Sequence, residues 1–466
     1  MNNDNTICAI ATAAGGALGI IRVSGKGAIS ITDKIFCPAG KDKRCLQERD
    51  AYTLTFGNIV DADGTIVDEV LVSLFRAPHS YTGEDSVEIS CHGSAYIMQR
   101  VMQLLISNGC RAAGPGEYTQ RAFLNGKMDL SQAEAVADLI ASNSAASHRI
   151  AMNQMRGSFS RELSELREKL LHLTSLMELE LDFSDHEELE FADRSELVSV
   201  STRIKEAITR LVASFKVGNA IKNGVPVAIV GETNAGKSTL LNQLVGDERA
   251  IVSDIHGTTR DVIEDTVNIN GITFRFIDTA GIRDTADKIE SIGIERTMQK
   301  ISQAEIVLML IDSTMAETQI KELSPKVLPL CAGKTVIMVF NKSDIAETPS
   351  LSPTQENLTH ELKHISISAK TGSGIEELRQ MLCSLSSVSG ASTDGVIVSN
   401  LRHLDALNSS LSDIGRVLDG LQTDLPSDLV SQDLRSCLYH LGEITGGEIQ
   451  TDEVLGNIFK HFCVGK

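Results

Sequence analysis

The segment GETNAGKS, residues 231–238, is the strongest structural signal in the middle of this 466-residue chain. An apolar run ends just before it at Val230 and an amphipathic run begins at Thr239, so we expect a strand, a glycine-containing loop and a helix in that order. Backbone N–H groups of such a loop surround phosphates, and the helix N-terminus adds positive potential. We expect Lys237 to reach the two outer phosphates and the Ser238 hydroxyl to bind Mg2+.

Four further motifs argue against the alternative that this segment is a chance surface loop. Each lies where an apolar, strand-like run is expected to end. Open parallel sheets bind their ligands at the carboxyl ends of the strands, so the pattern predicts one nucleotide site. The motifs are GTT at residues 257–259, DTAG at 278–281, NKSD at 341–344 and SAK at 368–370.

The NKSD motif predicts that the base is guanine. The Asp344 carboxylate can accept hydrogen bonds from N1–H and the exocyclic amine of guanine, whereas adenine presents an acceptor and no amine there. A site built on such bonds rejects the wrong base by about 10^4-fold, because buried polar groups would lose their partners. We expect Asn341 to brace the loop, the Lys342 stem to cover the ring, and the turn at 368–370 to donate backbone N–H groups to the guanine oxygen.

The motifs on the phosphate side predict the magnesium shell. Asp278 would hold Mg2+ through water, Thr259 would supply a second hydroxyl, and the Gly281 N–H would approach the terminal phosphate. Ras-type enzymes orient the attacking water with a glutamine at the next position, where this chain has Ile282. Another group must therefore position the water.

Composition limits what the rest of the chain can be. Its length predicts about three domains. No apolar run approaches the ~20 residues of a membrane span, and no basic, hydrophobic signal opens the sequence, which predicts a cytoplasmic protein. The nine cysteines are scattered without a CxxC pair, which argues against a disulfide framework and against a zinc site.

Charge disfavours non-specific binding to nucleic acid. The net charge is −19, from 43 basic and 62 acidic residues, so an RNA partner must meet a local basic surface. The acidic run DFSDHEELE, residues 182–190, fits a solvated loop between helices better than a metal site.

The periodicity of the sequence predicts a multidomain protein in four pieces. Residues 1–125 alternate as short strands around one helix near 95–107, with a hairpin turn at DADG (61–64), and form an α+β domain. Residues 126–222 and 387–466 show helical periodicity, and residues 223–386 form the α/β P-loop domain of Ras-like type. Neither helical piece closes a core alone, so we expect one all-α domain into which the nucleotide domain is inserted.

Essentially the whole chain resembles the MnmE (TrmE) family of bacterial tRNA modification GTPases, in the TrmE-Era-EngA-YihA-Septin-like superfamily. The resemblance is carried by GPGEYTQRAFLNGKMDLSQAEAVADLI (114–140), SDIHGTTRD (253–261) and the terminal FCVGK (462–466). It implies a GTPase that acts as a homodimer with the flavin-dependent partner MnmG (GidA), in a heterotetramer or larger complex. The implied reaction adds an aminomethyl or carboxymethylaminomethyl group to C5 of the wobble uridine of certain tRNAs.

The resemblance also implies the cofactors and most remaining site residues. GTP, Mg2+, K+ and a 5-formyl- or methylene-tetrahydrofolate are the implied cofactors. The implied folate positions are Arg22, Glu88, Lys127 and Lys466, for each of which a plain surface charge is the alternative. Together with the motifs, the predicted GTP contacts are Asn234, Ala235, Gly236, Lys237, Ser238, Thr239, Ser253, Thr258, Thr259, Asp278, Thr279, Ala280, Gly281, Asn341, Lys342, Asp344, Ser368, Ala369 and Lys370.

Potassium replaces an arginine finger in the family when two nucleotide domains meet face to face. The implied K+ positions are Asn234, Ser253, Ile255 (through its carbonyl) and Thr258. Glu290 matches the acid that positions water from a distance, while a helix-surface glutamate without a role is the alternative.

Cys463 in the FCVGK tail has two interpretations. Covalent catalysis at C5 of a pyrimidine usually needs a nucleophile at C6, which a thiol can supply. A small apolar residue that anchors the tail beside the folate site is the other interpretation.

The chain departs from the family pattern at a few positions, and two rival functions stay open. Glu232 stands where a basic residue is common, Gly114 where an arginine often precedes PGE, and Ser94-Ala95 where Gly-Pro often follows HG. One rival is a ribosome-assembly or signalling GTPase without modification activity. The other is a folate-dependent one-carbon transferase whose GTPase is regulatory.

Overall fold

The computed structural model describes most of the chain. The described residues are 5–41, 43–182 (backbone only for 179–182), 194–232, 234–246, 265–277, 301–346, 362–389, 395–423, 425–447, 455, 458–460, 462 and 465. They divide into two compact units. One unit comprises Met1–Ile140, Gln154–His172 and Arg435–Lys466, and the other comprises Ala141–Asn153 and Leu173–Leu434.

A seven-stranded sheet forms the N-terminal part, in the order β3-β4-β5-β6-β2-β1-β7. Neighbouring strands are antiparallel except β1 and β7. Helices α1 (Ala28–Asp33) and α2 (Ala95–Ser107) contribute side chains to the core on one face of this sheet. The strands are β1 Ile7–Ile10, β2 Leu18–Ser24, β3 Phe36–Pro38, β4 Leu54–Val60, β5 Ile66–Phe75, β6 Ser86–His92 and β7 Arg111–Ala112.

Strands β4 and β5 alternate between a buried and an exposed face. Val70, Val72 and Leu74 lie in the core, because side chains two apart share a face of a strand. On the opposite face Phe56 and Leu71 sit directly across the ladder and are 50% and 40% exposed. The predicted DADG turn joins these strands, where the Asp61 carbonyl accepts from the Gly64 N–H at 2.9 Å.

The described residues between the N-terminal sheet and the nucleotide domain form five α-helices. They are α3 Glu117–Leu124, α4 Leu130–Ala141, α5 Ala145–Met155, α6 Ser158–Asp182 and α7 Arg194–Asn223. The acidic run at 182–190 lies outside the described residues apart from its first backbone position. No cluster of three metal-ligating side chains occurs within the described part of the chain.

A six-stranded sheet forms the nucleotide domain, in the order β13-β12-β11-β8-β10-β9. Only β9 runs antiparallel to its neighbour, and the central strand β8 marks the point where the strand order reverses. Ligands bind at such a switch point, beyond the carboxyl ends of the strands. The elements are β8 Val225–Val230, α8 Lys237–Val245, β9 Asp265–Ile269, β10 Ile272–Phe276, β11 Ile306–Asp312, α9 Ala316–Val327, β12 Thr335–Asn341, β13 Lys363–Ser366 and α10 Ile375–Leu385.

Two long helices, α11 (Leu401–Gln422) and α12 (Ser427–Thr445), follow the nucleotide domain. Helix α11 packs on α7, from the other side of the insertion. The segment leading into α11 meets α7 closely, since a Cβ on Gly218 would lie 2.1 Å from the Val398 carbonyl oxygen. The Ser214 hydroxyl accepts from the Val398 N–H at 3.0 Å. Packing between segments so distant in sequence is what an inserted domain requires.

The predicted fold class is confirmed: an α+β N-terminal part, a helical part, and an inserted α/β P-loop domain of Ras-like strand order. The boundaries at 125, 222 and 386 stay predictions. Helix α8 begins at Lys237, two residues before the expected start at Thr239, because Gly236 adopts the left-handed conformation at the N-cap. No described helix is long and apolar enough to cross a membrane. Each cysteine in the described part of the chain is free.

Candidate functional site

The loop after β8 has the geometry of a phosphate-binding loop. Asn234 and Gly236 have positive φ angles of 68° and 97°. A Cβ on Gly236 would lie 2.3 Å from Nδ2 of Asn341, so only glycine fits. Nζ of Lys237 donates to the carbonyls of Gly231 and Glu232, both at 2.7 Å. The lysine ammonium therefore lies across the loop on which phosphates are expected, and Ser238 follows it in the first turn of α8.

Asn341, at the end of β12, joins three loops. Its Nδ2 donates to the Ala235 carbonyl at 2.8 Å, and its Oδ1 accepts from the Ala369 N–H at 2.9 Å. The residue is 3% exposed, so both ends of its amide are satisfied inside the protein. This single side chain fixes the phosphate loop and the 368–370 turn relative to the NKSD loop. The expected bracing role of Asn341 agrees with this geometry.

Asp344 and Ser368 meet at the base end. The Ser368 hydroxyl donates to Oδ1 of Asp344 at 2.7 Å, and it accepts from the Thr371 N–H at 3.3 Å. Asp344 is exposed, whereas Ser368 is buried. The Ser368 hydroxyl thus fixes the position of one carboxylate oxygen, Oδ1 of Asp344. Lys370 and Thr239 are exposed and make no described contact with this pair.

Lys342 contacts Asp312, a residue that the sequence analysis does not assign to the site. It has a positive φ of 67°, and its Nζ donates to Oδ2 of Asp312 at 2.5 Å. Burial alone would raise the pKa of Asp312, but hydrogen bonds from Lys342 and from Thr314 outweigh burial and lower that pKa. Asp312 ends an apolar run, IVLMLI, at the carboxyl end of β11, so the rule that found the other motifs also points to it.

A second cluster lies on the face of the N-terminal sheet that packs against Tyr118 of α3. Arg22 and Glu88 are directly opposite on β2 and β6, and Nε and Nη2 of Arg22 donate to Oε1 of Glu88 at 2.9 and 2.7 Å. The Arg22 guanidinium carbon lies 5.7 Å from the ring centroids of both Tyr81 and Tyr118. Nη1 of Arg22 also donates to the Gly465 carbonyl at 3.3 Å. Two predicted folate residues and Gly465 of the FCVGK motif thus meet at one place.

The tail is seated on the N-terminal part by close backbone packing. A Cβ on Gly465 would lie 2.7 Å from the Ile10 carbonyl oxygen, and one on Gly116 would lie 2.8 Å from Cβ of Phe462. The ring of Phe462 lies 5.0 Å from the ring of Phe459, tilted by 56°, and Phe459 is buried. This contact is specific, because both glycines have positive φ angles that other residues rarely adopt.

Lys127 does not contact Arg22, but it lies beside residues 78–83, the segment that carries Tyr81. Its Nζ donates to the Pro78 carbonyl at 3.0 Å, and its stem lies close to Gly83. Tyr81, between these two positions, hydrogen-bonds to Thr119 at 2.8 Å, and burial raises its pKa. Sequence reasoning missed Tyr81 and Tyr118, since nothing in the sequence indicates which aromatic rings reach a given arginine.

Several predicted residues lie outside the described part of the chain, and their roles stay predictions. They are Ser253, Ile255, Thr258, Thr259, Asp278, Thr279, Ala280, Gly281, Ile282, Glu290, Cys463 and Lys466.

The strand order, the glycine loop and the Asn341 brace define the nucleotide domain as that of a P-loop GTPase. Two family models match the chain: "MnmE helical domain" over residues 130–463 and "GTP-binding protein TrmE N-terminus" over residues 6–127. The chain therefore belongs to the MnmE family of tRNA modification GTPases. The prediction of this family, and with it of a GTPase, is confirmed.

Full-length relatives support this membership. A protein of Bacteroides thetaiotaomicron named tRNA modification GTPase MnmE is 62% identical over 100% of both chains. One of Parabacteroides distasonis with the same name is 58% identical over 99% of this chain and 100% of its own. A solved GTP-binding protein of Sulfolobus solfataricus in complex with GDP is 18% identical over 48% of this chain and 67% of its own, with a TM-score of 0.26. That TM-score is too low to support a structural inference.

Proposed function

We propose that this protein hydrolyses GTP to drive modification of C5 of the wobble uridine in certain tRNAs, with a folate as one-carbon source and a flavoprotein as partner. The observation that carries the proposal is that two distinct sites occur in one chain. The chain holds Arg22, Glu88 and Gly465 together in one cluster, and its inserted domain holds the guanine-type loops around Asn341. A binding-only GTPase has no use for the first cluster. The relatives named above are called tRNA modification GTPases, and this name agrees with the proposal.

In the proposed GTP complex, the described loops bind the two ends of the nucleotide. Lys237 exchanges the carbonyls of Gly231 and Glu232 for phosphate oxygens, since anionic oxygens are stronger acceptors. Asp344 accepts from the guanine edge while Ser368 holds its Oδ1. Ser238 and Thr259 would hold Mg2+, with Asp278 acting through water, and the bound metal would neutralise phosphate charge. Ser238 fits this role because it lies in the first turn of α8.

The proposed potassium site completes the phosphate end. Asn234 lies in the phosphate loop with its side chain exposed, where a cation beside the phosphates can be reached. Ser253, the Ile255 carbonyl and Thr258 supply the other ligands, and Glu290 positions water from a distance. Because Ile282 replaces the usual glutamine, the chain needs such a second route to orient water.

The proposed folate site is the cluster around Arg22. Only Oε1 of Glu88 accepts hydrogen bonds from described residues, so Oε2 is available for the paired N–H donors of a pterin. Tyr81 is 36% exposed beside the guanidinium and offers a ring face. Because Arg22 is engaged by Glu88, we assign the glutamate tail of folate to Lys127 and Lys466.

We further propose a homodimer whose subunits meet through the N-terminal sheet. The exposed apolar face of β4 and β5, with Leu54, Phe56 and Leu71, fits such a contact.

GTP would draw two nucleotide domains together around K+, and hydrolysis would release them. The packing of α7 on α11 offers a rigid path from that domain into the helical part. We place this cycle in the cytoplasm, in a complex with MnmG and tRNA, and keep domain limits at residues 125, 222 and 386.

The test is mass analysis of wobble nucleosides in tRNA from cells lacking this chain, complemented with variants. Loss of the C5 modification without the chain, and its return with the wild type, supports the proposal. Unchanged nucleosides with altered ribosomal particles would support an assembly GTPase instead. Arg22→Met should fail to complement although its GTPase rate is normal, because the substitution keeps an apolar stem but removes the guanidinium that holds Glu88 and the Gly465 carbonyl in the proposed folate site. Cys463→Ser separates the two interpretations of that thiol, since full modification would exclude a nucleophile.

A further inference from the structure

The two ends of the nucleotide site are joined by a buried glutamine that no motif includes. Gln319 lies on α9 and is 3% exposed. Its Nε2 donates to Oε2 of Glu232 in the phosphate loop at 2.9 Å, and its Oε1 accepts from the Asp312 N–H at 2.8 Å. Both ends of the amide are thereby used. A buried amide satisfied in this way is fixed in one orientation.

Asp312 carries the connection on to the base loop. Its Oδ1 accepts from the Thr314 N–H and hydroxyl at 3.0 and 2.7 Å, and its Oδ2 accepts from Nζ of Lys342 at 2.5 Å. Lys342 stands two residues before Asp344, which is proposed to read the base. Glu232 is thus connected through Gln319 to the main chain of Asp312, and the Asp312 side chain is connected to Lys342.

We propose that Gln319 is a positioning residue that sets the phosphate loop and the base-reading loop in register, so that base selectivity depends on a contact made at the phosphate end. This inference rests on the proposed guanine nucleotide site. Glu232 stands where a basic residue is common in the family, and the glutamine supplies the donor that its carboxylate needs. Neither Gln319 nor Glu232 touches the loop that reads the base, so the Gln319 contact reaches that loop through Asp312 and Lys342, in addition to the direct brace that Asn341 provides.

The experiment measures affinities of the full chain for GDP and for inosine diphosphate, which lacks the 2-amino group that Asp344 accepts from. Gln319→Met keeps the length of the side chain but removes both hydrogen bonds. We expect GDP to bind about tenfold more weakly, the size of one charge-assisted hydrogen bond. The preference for GDP over inosine diphosphate should fall as well. Ser324→Ala, at another buried position of α9, should change neither quantity.

A reciprocal exchange tests the contact itself. Gln319→Glu alone sets two carboxylates against each other and should weaken GDP binding more than Gln319→Met does. Adding Glu232→Gln restores a donor and acceptor with reversed polarity, so the double variant should recover to within about threefold of wild type. Recovery of GDP affinity in the double variant tests the Gln319–Glu232 contact even if Gln319→Met does not fold, because the exchange keeps the side-chain volumes and the hydrogen bonds.

The outcomes separate this inference from the proposed function. Wild-type chain that binds neither diphosphate would overturn the guanine site. Tight GDP binding by wild type, with an unchanged GDP preference in Gln319→Met or no rescue by the exchange, would overturn the role of Gln319 alone.

Discussion

Asn341 donates its side-chain amide to the carbonyl of Ala235 at 2.8 Å, across 106 positions of sequence. The contact joins the end of β12 to the loop after β8, and the same amide accepts from the Ala369 N–H. One side chain therefore sets the distance between the phosphate end and the base end of the site. Because Asn341 is buried, its loss would leave the Ala235 carbonyl and the Ala369 N–H without their protein partner.

We predict that Asn341→Ala weakens GDP binding about 100-fold. Two buried backbone groups would lose their partner, at about 1–3 kcal/mol each, and part of this cost falls on the bound state. Titration with a fluorescent GDP analogue measures the effect. Ser343→Ala, in the same loop, is the control and should bind as wild type does. An Asn341→Ala variant with unchanged affinity would contradict the bracing role.

We predict that Asp344→Asn exchanges guanine for xanthine. The Ser368 hydroxyl would still donate to Oδ1 of residue 344, which leaves Nδ2 facing the base. An amide donor matches the 2-oxo group of xanthine and opposes the 2-amino group of guanine, so GDP affinity should fall by at least about 100-fold. Affinity for xanthosine diphosphate should rise above that of the wild type. Calorimetry with both nucleotides measures the exchange, and equal losses for both would contradict it.

The nucleotide site could be predicted to a large extent because its rules are local. A strand, a loop with glycine at a fixed spacing and a helix need only neighbouring residues, and parallel strands bring the carboxyl-end motifs together. The structure places Lys237, Asn341 and Asp344 on the loops at the carboxyl ends of these strands, while their contacts with a nucleotide stay predictions. The same rule could have identified Asp312, because this residue also ends an apolar strand.

Contacts that depend on register or on packing between distant segments could not be predicted. Arg22 meets Glu88 because β2 and β6 align those two positions, and nothing in either strand fixes that alignment. Gln319 lies on a helix face whose neighbours are set by the whole domain. Its amide looks from the sequence like any surface glutamine, although it is buried.

We predict that GTP hydrolysis is faster in K+ than in Na+ at equal ionic strength. In the proposed site K+ takes the place of an arginine finger, and Asn234 is its ligand from the phosphate loop. Asn234→Gly should therefore remove the difference between the two salts while leaving GDP affinity within about threefold, because the side chain is exposed and glycine readily adopts the positive φ of 68° at this position. Phosphate release measured in each salt is the readout. Equal wild-type rates in both salts would overturn the potassium assignment.

We predict that the stability of the N-terminal part depends on Glu117 and falls in acid. This carboxylate accepts from Arg111 at 3.0 and 2.5 Å, from Arg121 at 3.0 Å and from the Gly114 N–H at 2.9 Å. Burial acts to raise the pKa of Glu117, but these hydrogen bonds outweigh burial and lower the pKa below its ordinary value of 4.5. The folded protein thus holds the charged form more strongly than the unfolded chain does.

The sign of the pH dependence follows from that lowered pKa. The stabilisation by Glu117 is complete above the pKa of the unfolded chain, declines as the pH falls below about 4.5, and is lost once the pH passes the lower, folded-state pKa. Glu117→Gln should cost about 2 kcal/mol at neutral pH, because Arg121 is 2% exposed and loses a charged partner. The variant should also show a flatter decline of unfolding free energy with acid than the wild type. Denaturant unfolding at pH 7 and pH 4 measures both effects, with the exposed Glu69→Gln as control, and equal slopes for Glu117→Gln and wild type would contradict the assignment.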